Sequence, residues 1–263
     1  MVFSTGYTEL LKLMIERDWN AAILRTQHKS REVKRWAKVV CDDGSQKTRV
    51  LPLHQACSLK APTKMIETLL SIYPEAANKK ESWLHRMPLH IACLEGASPE
   101  VICALVTSCR QATKVQDALG RIPLHYAMFS NATLEVIEIL LSAYPEGAKV
   151  QDSKGWLAVH VGCKCNSTEE ILERLLRIYP DSLILKTKGG MTPLKCAARF
   201  GVCNDATKID LLQRKPCFYR KTWNPEARGP LSTIPRTAKK IDNTQILCSG
   251  DLHICTNKKL WTA

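Results

Sequence analysis

The octapeptide GRIPLHYA, residues 120–127, contains a tripeptide that recurs along the chain. Pro-Leu-His begins at Pro52, Pro88 and Pro123, and the related Ala-Val-His and Pro-Leu-Lys begin at Ala158 and Pro193. Successive starts are 36, 35, 35 and 35 residues apart. So constant a spacing predicts a repeat protein, in which each unit is one supersecondary structure that packs on the next.

A second landmark stays in phase with the first. Tyr-Pro occurs at residues 73–74, 144–145 and 179–180, and the equivalent places hold Cys109-Arg110 and Lys215-Pro216. Because two landmarks share one period, chance is a poor explanation. The repeats therefore extend over residues 48–216.

Each unit carries the signals of two helices. Proline suits the first turn of a helix, so each Pro-Leu-His predicts the start of a short helix A. A capping residue, Ser98, Thr133 or Thr168, follows about ten residues later and predicts the start of helix B. Apolar residues at i, i+1, i+4 and i+5 then give helix B one apolar face. Such pairs bury that face only by stacking on one another.

The motif resembles the ankyrin signature T-P-L-H-x-A, preceded by a turn glycine. GRIPLHYA and GMTPL (residues 190–194) carry it, and the resemblance covers residues 48–216. It implies an all-α, helix-loop-helix solenoid with about four full repeats plus degenerate ends. It also implies a concave face of loops and A helices that binds partner proteins. The motif histidines are then structural residues, hydrogen-bonded within and between repeats: His54, His90, His125 and His160.

The sequence departs from that signature in four ways. Leu51, Met87, Ile122 and Leu157 replace the threonine, which survives as Thr192. We therefore expect apolar packing in place of the hydroxyl link in four units. The histidine is lost at Lys195 and the proline at Ala158, and the period is about two residues longer than the usual 33. The extra length predicts a longer connection after helix B, with its tyrosines as packed anchors.

Recurring histidines could instead be metal ligands or catalytic bases. One repeat advances the chain by about 10 Å, whereas metal bonds to histidine are about 2 Å long, so two of them cannot share a metal. The twelve cysteines form no C-x-x-C pair, and we expect reduced thiols packed in a core. No nucleotide-binding loop or catalytic motif occurs, so we predict no enzyme activity, no cofactor and no metal.

The ends predict two further segments. Residues 1–47 read as an N-terminal helical cap, with helices near 8–16 and 19–25, followed by a basic linker that carries Trp36. We interpret the linker as a solvated helix face plus a loop. Residues 217–263 are basic, contain scattered proline and glycine, and are expected to be poorly ordered.

Charge and hydropathy set the expected location and partner. The net charge of +13 favours acidic partners. The absence of a secretory signal and of a long apolar run predicts a soluble, intracellular protein of cytoplasm or nucleus, with no membrane span and as a monomer.

Two functions stay open from the sequence. The first is a scaffold or adaptor that binds an unidentified, acidic partner protein. The second is binding of nucleic acid or an anionic surface through the basic flanks. For the first, the candidate contacts precede the motif in each unit: Trp83, His85, Arg86, Arg121, Trp156 and Lys188.

Overall fold

A computed structural model describes residues 8–40, 47–200 and 206–221 of the chain. Its repeats are helix pairs, as predicted. The A helices are α3 (Pro52–Ser58), α5 (Pro88–Leu94), α7 (Pro123–Phe129), α9 (Ala158–Cys165) and α11 (Pro193–Arg199). The B helices are α4 (Thr63–Ile72), α6 (Pro99–Ser108), α8 (Leu134–Ala143), α10 (Glu169–Ile178) and α12 (Ala206–Gln213).

The helices stack in two rows. Each A helix packs on the A helix of the next unit, and each B helix packs on the next B helix. The apolar face predicted for helix B lies between the rows, where Leu105 is 1% exposed and Leu140 is 3% exposed. Burial of each large apolar side chain stabilises the array by about 1.5 to 3 kcal/mol.

The starts of the B helices agree with the sequence, but their caps do not. Helices α6, α8 and α10 follow Ser98, Thr133 and Thr168, yet none of these hydroxyls accepts a hydrogen bond from a helix amide. The hydroxyl of Ser98 instead contacts Glu100, and this hydrogen bond lowers the pKa of that carboxyl. The residue type therefore marks the boundary, while the predicted capping bond was wrong.

The extra residues of the repeat lie after each B helix. The landmark tyrosines end α4, α8 and α10, and short 3₁₀ turns follow them at Pro74–Asn78, Pro145–Lys149 and Pro180–Leu183. Tyr144 and Tyr179 are half-buried, and Lys114 and Lys149 lie 5.5 and 6.0 Å from their ring centroids.

The N-terminal helical pair is also present, as α1 (Glu9–Ile15) and α2 (Trp19–His28). Asp18 caps α2 by accepting from the backbone N–H of Ala21 at 3.0 Å. The linker prediction was wrong in part, because it contains a two-stranded antiparallel hairpin of β1 (Ala37–Val40) and β2 (Lys47–Val50). In strands of four residues, the alternation of polar and apolar side chains is too short to predict a strand from the sequence. Here the pairing between the two strands stabilises them.

At the other end the chain adds one helix beyond the repeats, α13 (Pro216–Lys221). Tyr219 is fully buried and donates a hydrogen bond to the carbonyl of Leu211 at 2.9 Å. Residues 217–221 of the segment expected to be poorly ordered therefore belong to a packed helix. The expectation for residues 222–263 lies outside the described residues. In the described part, no helix has the length and apolar character to cross a bilayer.

Candidate functional site

Four finger loops join the helix pairs, at residues 81–86, 117–121, 152–156 and 187–191. Each is closed in the same way: the backbone N–H of its first residue donates to the carbonyl of its last residue at 2.9 Å. A residue with positive φ makes the turn possible. It is glycine in three loops, and His85, with φ of 55°, in the first.

A buried oxygen at the first position organises each finger loop. In the second loop, Asp117 Oδ1 accepts from the backbone N–H groups of Leu119 and Arg121, both at 2.8 Å. Its Oδ2 accepts from the hydroxyl of Tyr126 at 2.5 Å. Glu81, Asp152 and Thr187 occupy the same place in the other loops. These acids bind their own loop, so they are unavailable to a partner.

These residues were not predicted from the sequence, although a signal for them exists. Asp117, Asp152 and Thr187 each stand six residues before the first residue of the motif, and Glu81 stands seven before it. The first loop is thus one residue longer, which accounts for the single step of 36. Glutamate is one methylene longer than aspartate and spans this larger loop.

Neighbouring finger loops are joined through their backbones. The N–H of Ala118 donates to the carbonyl of Leu84 at 2.8 Å, and the N–H of Ser153 donates to the carbonyl of Leu119 at 2.9 Å. Lys188 and Lys154 make the equivalent bond at 2.9 Å. Because these bonds leave little freedom between units, the loops form one continuous and preorganised surface.

The four motif histidines hold the loops on the A helices. In each, Nδ1 accepts from the N–H of the residue that precedes the helix, at 3.1 to 3.3 Å. Nε2 therefore carries the proton and donates to a loop carbonyl. For His90 the acceptors are the carbonyls of Val115 at 3.0 Å and Arg121 at 3.2 Å. Burial lowers the pKa of His54 and His90 to about 4, and also lowers the pKa of His125 and His160.

In the fifth unit, which lacks the motif histidine, a hydrogen bond to the side chain of Thr192 holds the start of the A helix. Its hydroxyl accepts from the N–H of Lys195 at 3.3 Å, as expected where the threonine survives. In the four other units the residues that replace threonine are buried: Leu51, Met87, Ile122 and Leu157.

One predicted contact residue is not accessible. Arg121 is only 6% exposed, and its Nε lies 3.4 Å from Asp152 Oδ2. We therefore assign Arg121 to the packing between two finger loops, where an ion pair compensates its burial. Burial could not be read from its position in the sequence, since Arg86 aligns with it and is less deeply buried.

The other predicted contacts lie at the surface of the finger loops or beside the A helices. His85 and Lys188 are exposed, and Trp83, Arg86 and Trp156 are half-buried. Arg86 lies over the ring of Trp83 at 5.9 Å. Lys164 of α9 lies over the ring of Trp156 at 5.6 Å, so loop and helix side chains meet. We call the surface formed by the finger loops and the A helices the loop–A-helix face.

The N-terminal hairpin extends this face by one further pair. Arg49 of β2 lies over the ring of Trp36 at 5.9 Å, and Trp36 lies 6.0 Å from the ring of His54. The carbonyl of Arg49 accepts from the N–H of Ser82 at 3.3 Å, which attaches the hairpin to the first finger loop. The hairpin thus takes the place of a finger loop ahead of the first repeat.

Comparison with known families identifies the repeats. Residues 53–152 match the model of the family described as ankyrin repeats, in three copies. This segment is an ankyrin-repeat array. A search of curated proteins found no match to the chain. Ankyrin repeats are generally protein–protein interaction modules, and the family is typically non-catalytic.

Charge is segregated between the two sides of the repeat array. The five A helices contain no aspartate or glutamate. The acids of the finger loops, Glu81, Asp117 and Asp152, are buried. The B helices α4, α6, α8 and α10 carry the glutamates instead: Glu67, Glu100, Glu135, Glu138, Glu169, Glu170 and Glu173. The same four B helices also carry Lys64, Arg174 and Arg177, so their side chains sum to −4. The side chains of the five A helices sum to +3, from Lys164, Lys195 and Arg199. The two sides therefore present opposite net charge to a partner.

Within the described residues, no group of three or more histidine, cysteine, aspartate or glutamate side chains could hold a metal ion. The motif histidines use both ring nitrogens for structural hydrogen bonds. What the loop–A-helix face offers is fixed backbone, half-buried indole rings and cations.

Proposed function

We propose that the chain is a non-catalytic scaffold or adaptor that binds a partner protein through the loop–A-helix face of its ankyrin array. One observation carries the proposal. The finger loops bury their acids and are joined by backbone hydrogen bonds, while cations and indole rings stand on their outer side. A surface of this kind loses little conformational entropy on binding.

The residue types on the face support this function. Tryptophan and arginine are the residues that contribute most to protein interfaces, because each buries a large area and retains a polar group. Trp83 and Trp156 supply the former, and Arg86 and Arg49 supply the latter. Since these side chains belong to three separate elements, a partner would have to span several units.

Binding of nucleic acid or an anionic surface is the second candidate. The linker supports it, because Lys29, Arg31, Arg35 and Lys38 are exposed. Binding by these charges alone would be insensitive to sequence and would weaken steeply between about 50 and 200 mM salt. Binding through the indole rings of the face would retain most of its strength over that range.

A display experiment tests the proposal. A library of random dodecapeptides on phage is selected against the full chain at 150 mM salt, and selected peptides are measured by fluorescence anisotropy. We expect binding to fall about tenfold or more in Trp83→Ala and Trp156→Ala, which remove interface anchors. In the control Glu67→Ala, on α4, it should stay within about twofold. Selected peptides that bind all three variants equally would overturn the proposal.

A further inference from the structure

We propose that the occupant of the loop–A-helix face is an acidic segment of the partner in the polyproline II conformation, with a carboxylate at every third residue and apolar residues between. This inference rests on the proposed function and adds the chemistry and spacing of the ligand. Three features of the face support it: its charge, its period and the environment of its indole rings.

The charge of the face selects an acidic ligand. Arg49, Lys154 and Lys188 are exposed along the row of finger loops. In the described loops and A helices, each acid is buried and accepts hydrogen bonds from its own loop. An acidic segment therefore meets cations without meeting exposed carboxylates, whereas on the B-helix side it would be repelled.

The period of the array selects the spacing. Packed helices lie about 8–10 Å apart. Each finger loop contributes two chain segments, joined by backbone hydrogen bonds to each other and to the next loop. At about 4.8 Å per hydrogen-bonded segment, this gives the same step between units. Three residues of a polyproline II helix complete one turn and cover about 9.3 Å. Residues i, i+3, i+6 and i+9 of a ligand in this conformation lie on one side and would face four successive units.

The indole rings select a peptide rather than a nucleic acid. Binding of single strands depends on aromatic faces that are open to stacking bases. Here Arg86 lies 5.9 Å from the ring centroid of Trp83, and Lys164 lies 5.6 Å from that of Trp156. Because a cation lies over each ring and the rings are half-buried, their edges are left for aliphatic side chains. Carboxylates then reach the cations, and apolar residues pack beside the rings.

Two labelled peptides of one composition test the spacing. The first repeats Glu-Leu-Ser four times, and the second has the same twelve residues with its four glutamates adjacent. Each is titrated with the full chain at 150 mM salt and followed by fluorescence anisotropy. We expect the first peptide to bind about tenfold tighter, because only it can place a carboxylate beside each of Arg86, Lys154 and Lys188. The second finger loop, which lies between the loops of Arg86 and Lys154, presents no exposed cation. Equal affinities would overturn the proposed spacing.

Two double variants test the place of binding. Lys154→Glu/Lys188→Glu reverses two cations of the face, and Lys64→Glu/Lys215→Glu reverses two exposed lysines elsewhere. Each lysine replaced lowers the net charge by two, so both variants go from +13 to +9. We expect the first variant to lose about tenfold in affinity for the Glu-Leu-Ser peptide and the second less than about threefold. Equal losses would mean nonspecific attraction and would overturn the inference.

Two further outcomes separate this inference from the function it rests on. If the phage selection yields neutral peptides whose binding depends on Trp83 and Trp156, the protein-binding function stands and the acidic ligand is refuted. If a twelve-nucleotide oligothymidylate displaces the Glu-Leu-Ser peptide at a lower concentration than the unlabelled peptide does, the face prefers nucleic acid and the inference fails. Circular dichroism and urea midpoints confirm that each variant is folded.

Discussion

At the scale of residues, the motif histidines show what the sequence could and could not predict. Their number, spacing and structural role follow from the repeated motif. Their acceptors do not, because the carbonyls of Lys79, Val115, Trp156 and Leu185 lie 25 to 31 residues further along the chain. The acids of the finger loops were missed for a different reason: their fixed position ahead of the motif is visible in the sequence, but their burial is a property of the folded array.

Replacing His90 tests the histidine link. His90→Ala leaves the N–H of Met87 and the carbonyl of Val115 without their hydrogen-bonding partner in a buried site. We expect the free energy of unfolding, measured by urea titration, to fall by about 2 to 4 kcal/mol. Lys195 occupies the same place in the fifth unit but is exposed. Lys195→Ala should therefore change the free energy of unfolding by less than about 0.5 kcal/mol. Similar values for the two variants would refute the structural role of His90.

Stability should also depend on pH through these rings. The lowered pKa of His54 and His90, about 4 in each case, means that the folded chain binds fewer protons than the unfolded chain between pH 4 and 6.5. Stability is therefore fully present above about pH 6.5 and is lost as pH falls, by at most about 1.4 kcal/mol per unit for each histidine. Carboxylates with a lowered pKa, such as Glu81, add to this only below about pH 4.5.

Urea midpoints at pH 7.5, 6.5, 5.5 and 5.0 measure this dependence. We expect a small fall in the midpoint between the first two values and a steeper fall over the last two. In His90→Gln the fall should be smaller, because one titrating ring has been removed. A midpoint that stays constant down to pH 5.0 would show that the rings are not buried in their neutral form.

At the scale of elements, the sequence predicted helices well and the short hairpin not at all. The helix pairs follow from proline, capping residues and a repeated apolar pattern, each of which is local. Strands β1 and β2 have four residues each and are stabilised by one another and by the first finger loop, which is not a local property. The same holds for α13, which begins at the landmark Pro216, where the other units have a 3₁₀ turn, and which buried Tyr219 stabilises as a helix.

Two glycines of the finger loops differ in what a side chain at their position would cost: strain of the left-handed backbone alone, or that strain plus a steric clash. Gly120 and Gly190 have φ of +72° and +75°, but a Cβ on Gly120 would lie 2.8 Å from the backbone nitrogen of Ser153, whereas a Cβ on Gly190 would meet nothing within 4 Å. Gly190→Ala should therefore cost about 1 to 2 kcal/mol, for the left-handed conformation alone. Gly120→Ala should cost more, because the loops must also move apart.

Gly189→Ala is the matched control for these two glycines. A Cβ there would meet only the hydroxyl of Thr187 at 3.8 Å, and its φ lies outside the positive range that strains other residues. We expect its free energy of unfolding to stay within about 0.5 kcal/mol of the parent chain or to rise slightly. If Gly120→Ala were as stable as Gly189→Ala, the close approach of the second and third finger loops would be refuted.

At the scale of the whole molecule, the array depends on its N-terminal cap. Two leucines of the cap form a matched pair, since Leu11 of α1 is 0% exposed and Leu24 of α2 is 57% exposed. Leu11→Ala should lower the free energy of unfolding by about 2 to 5 kcal/mol, and Leu24→Ala should change it by less than about 0.5 kcal/mol. Equal and small effects in urea titrations would mean that the cap does not fold with the repeats.

The distribution of charge also belongs to this scale. The net charge of +13 can be read from the sequence, but its segregation cannot, because it depends on which side each helix presents and on the burial of three acids. Arg121 illustrates the same limit: its position before the motif suggested a contact with a partner, and the fold buries it between two finger loops.

Mapping the bound peptide by photo-crosslinking tests the central claim most directly. A benzoylphenylalanine is placed at exposed Ala118, in the second finger loop, or at exposed Lys64, on α4. Each chain is irradiated with a phage-selected peptide, and the adducts are identified by mass spectrometry. Binding through the loop–A-helix face predicts an adduct from position 118 and none from position 64. An adduct from position 64 alone would contradict it.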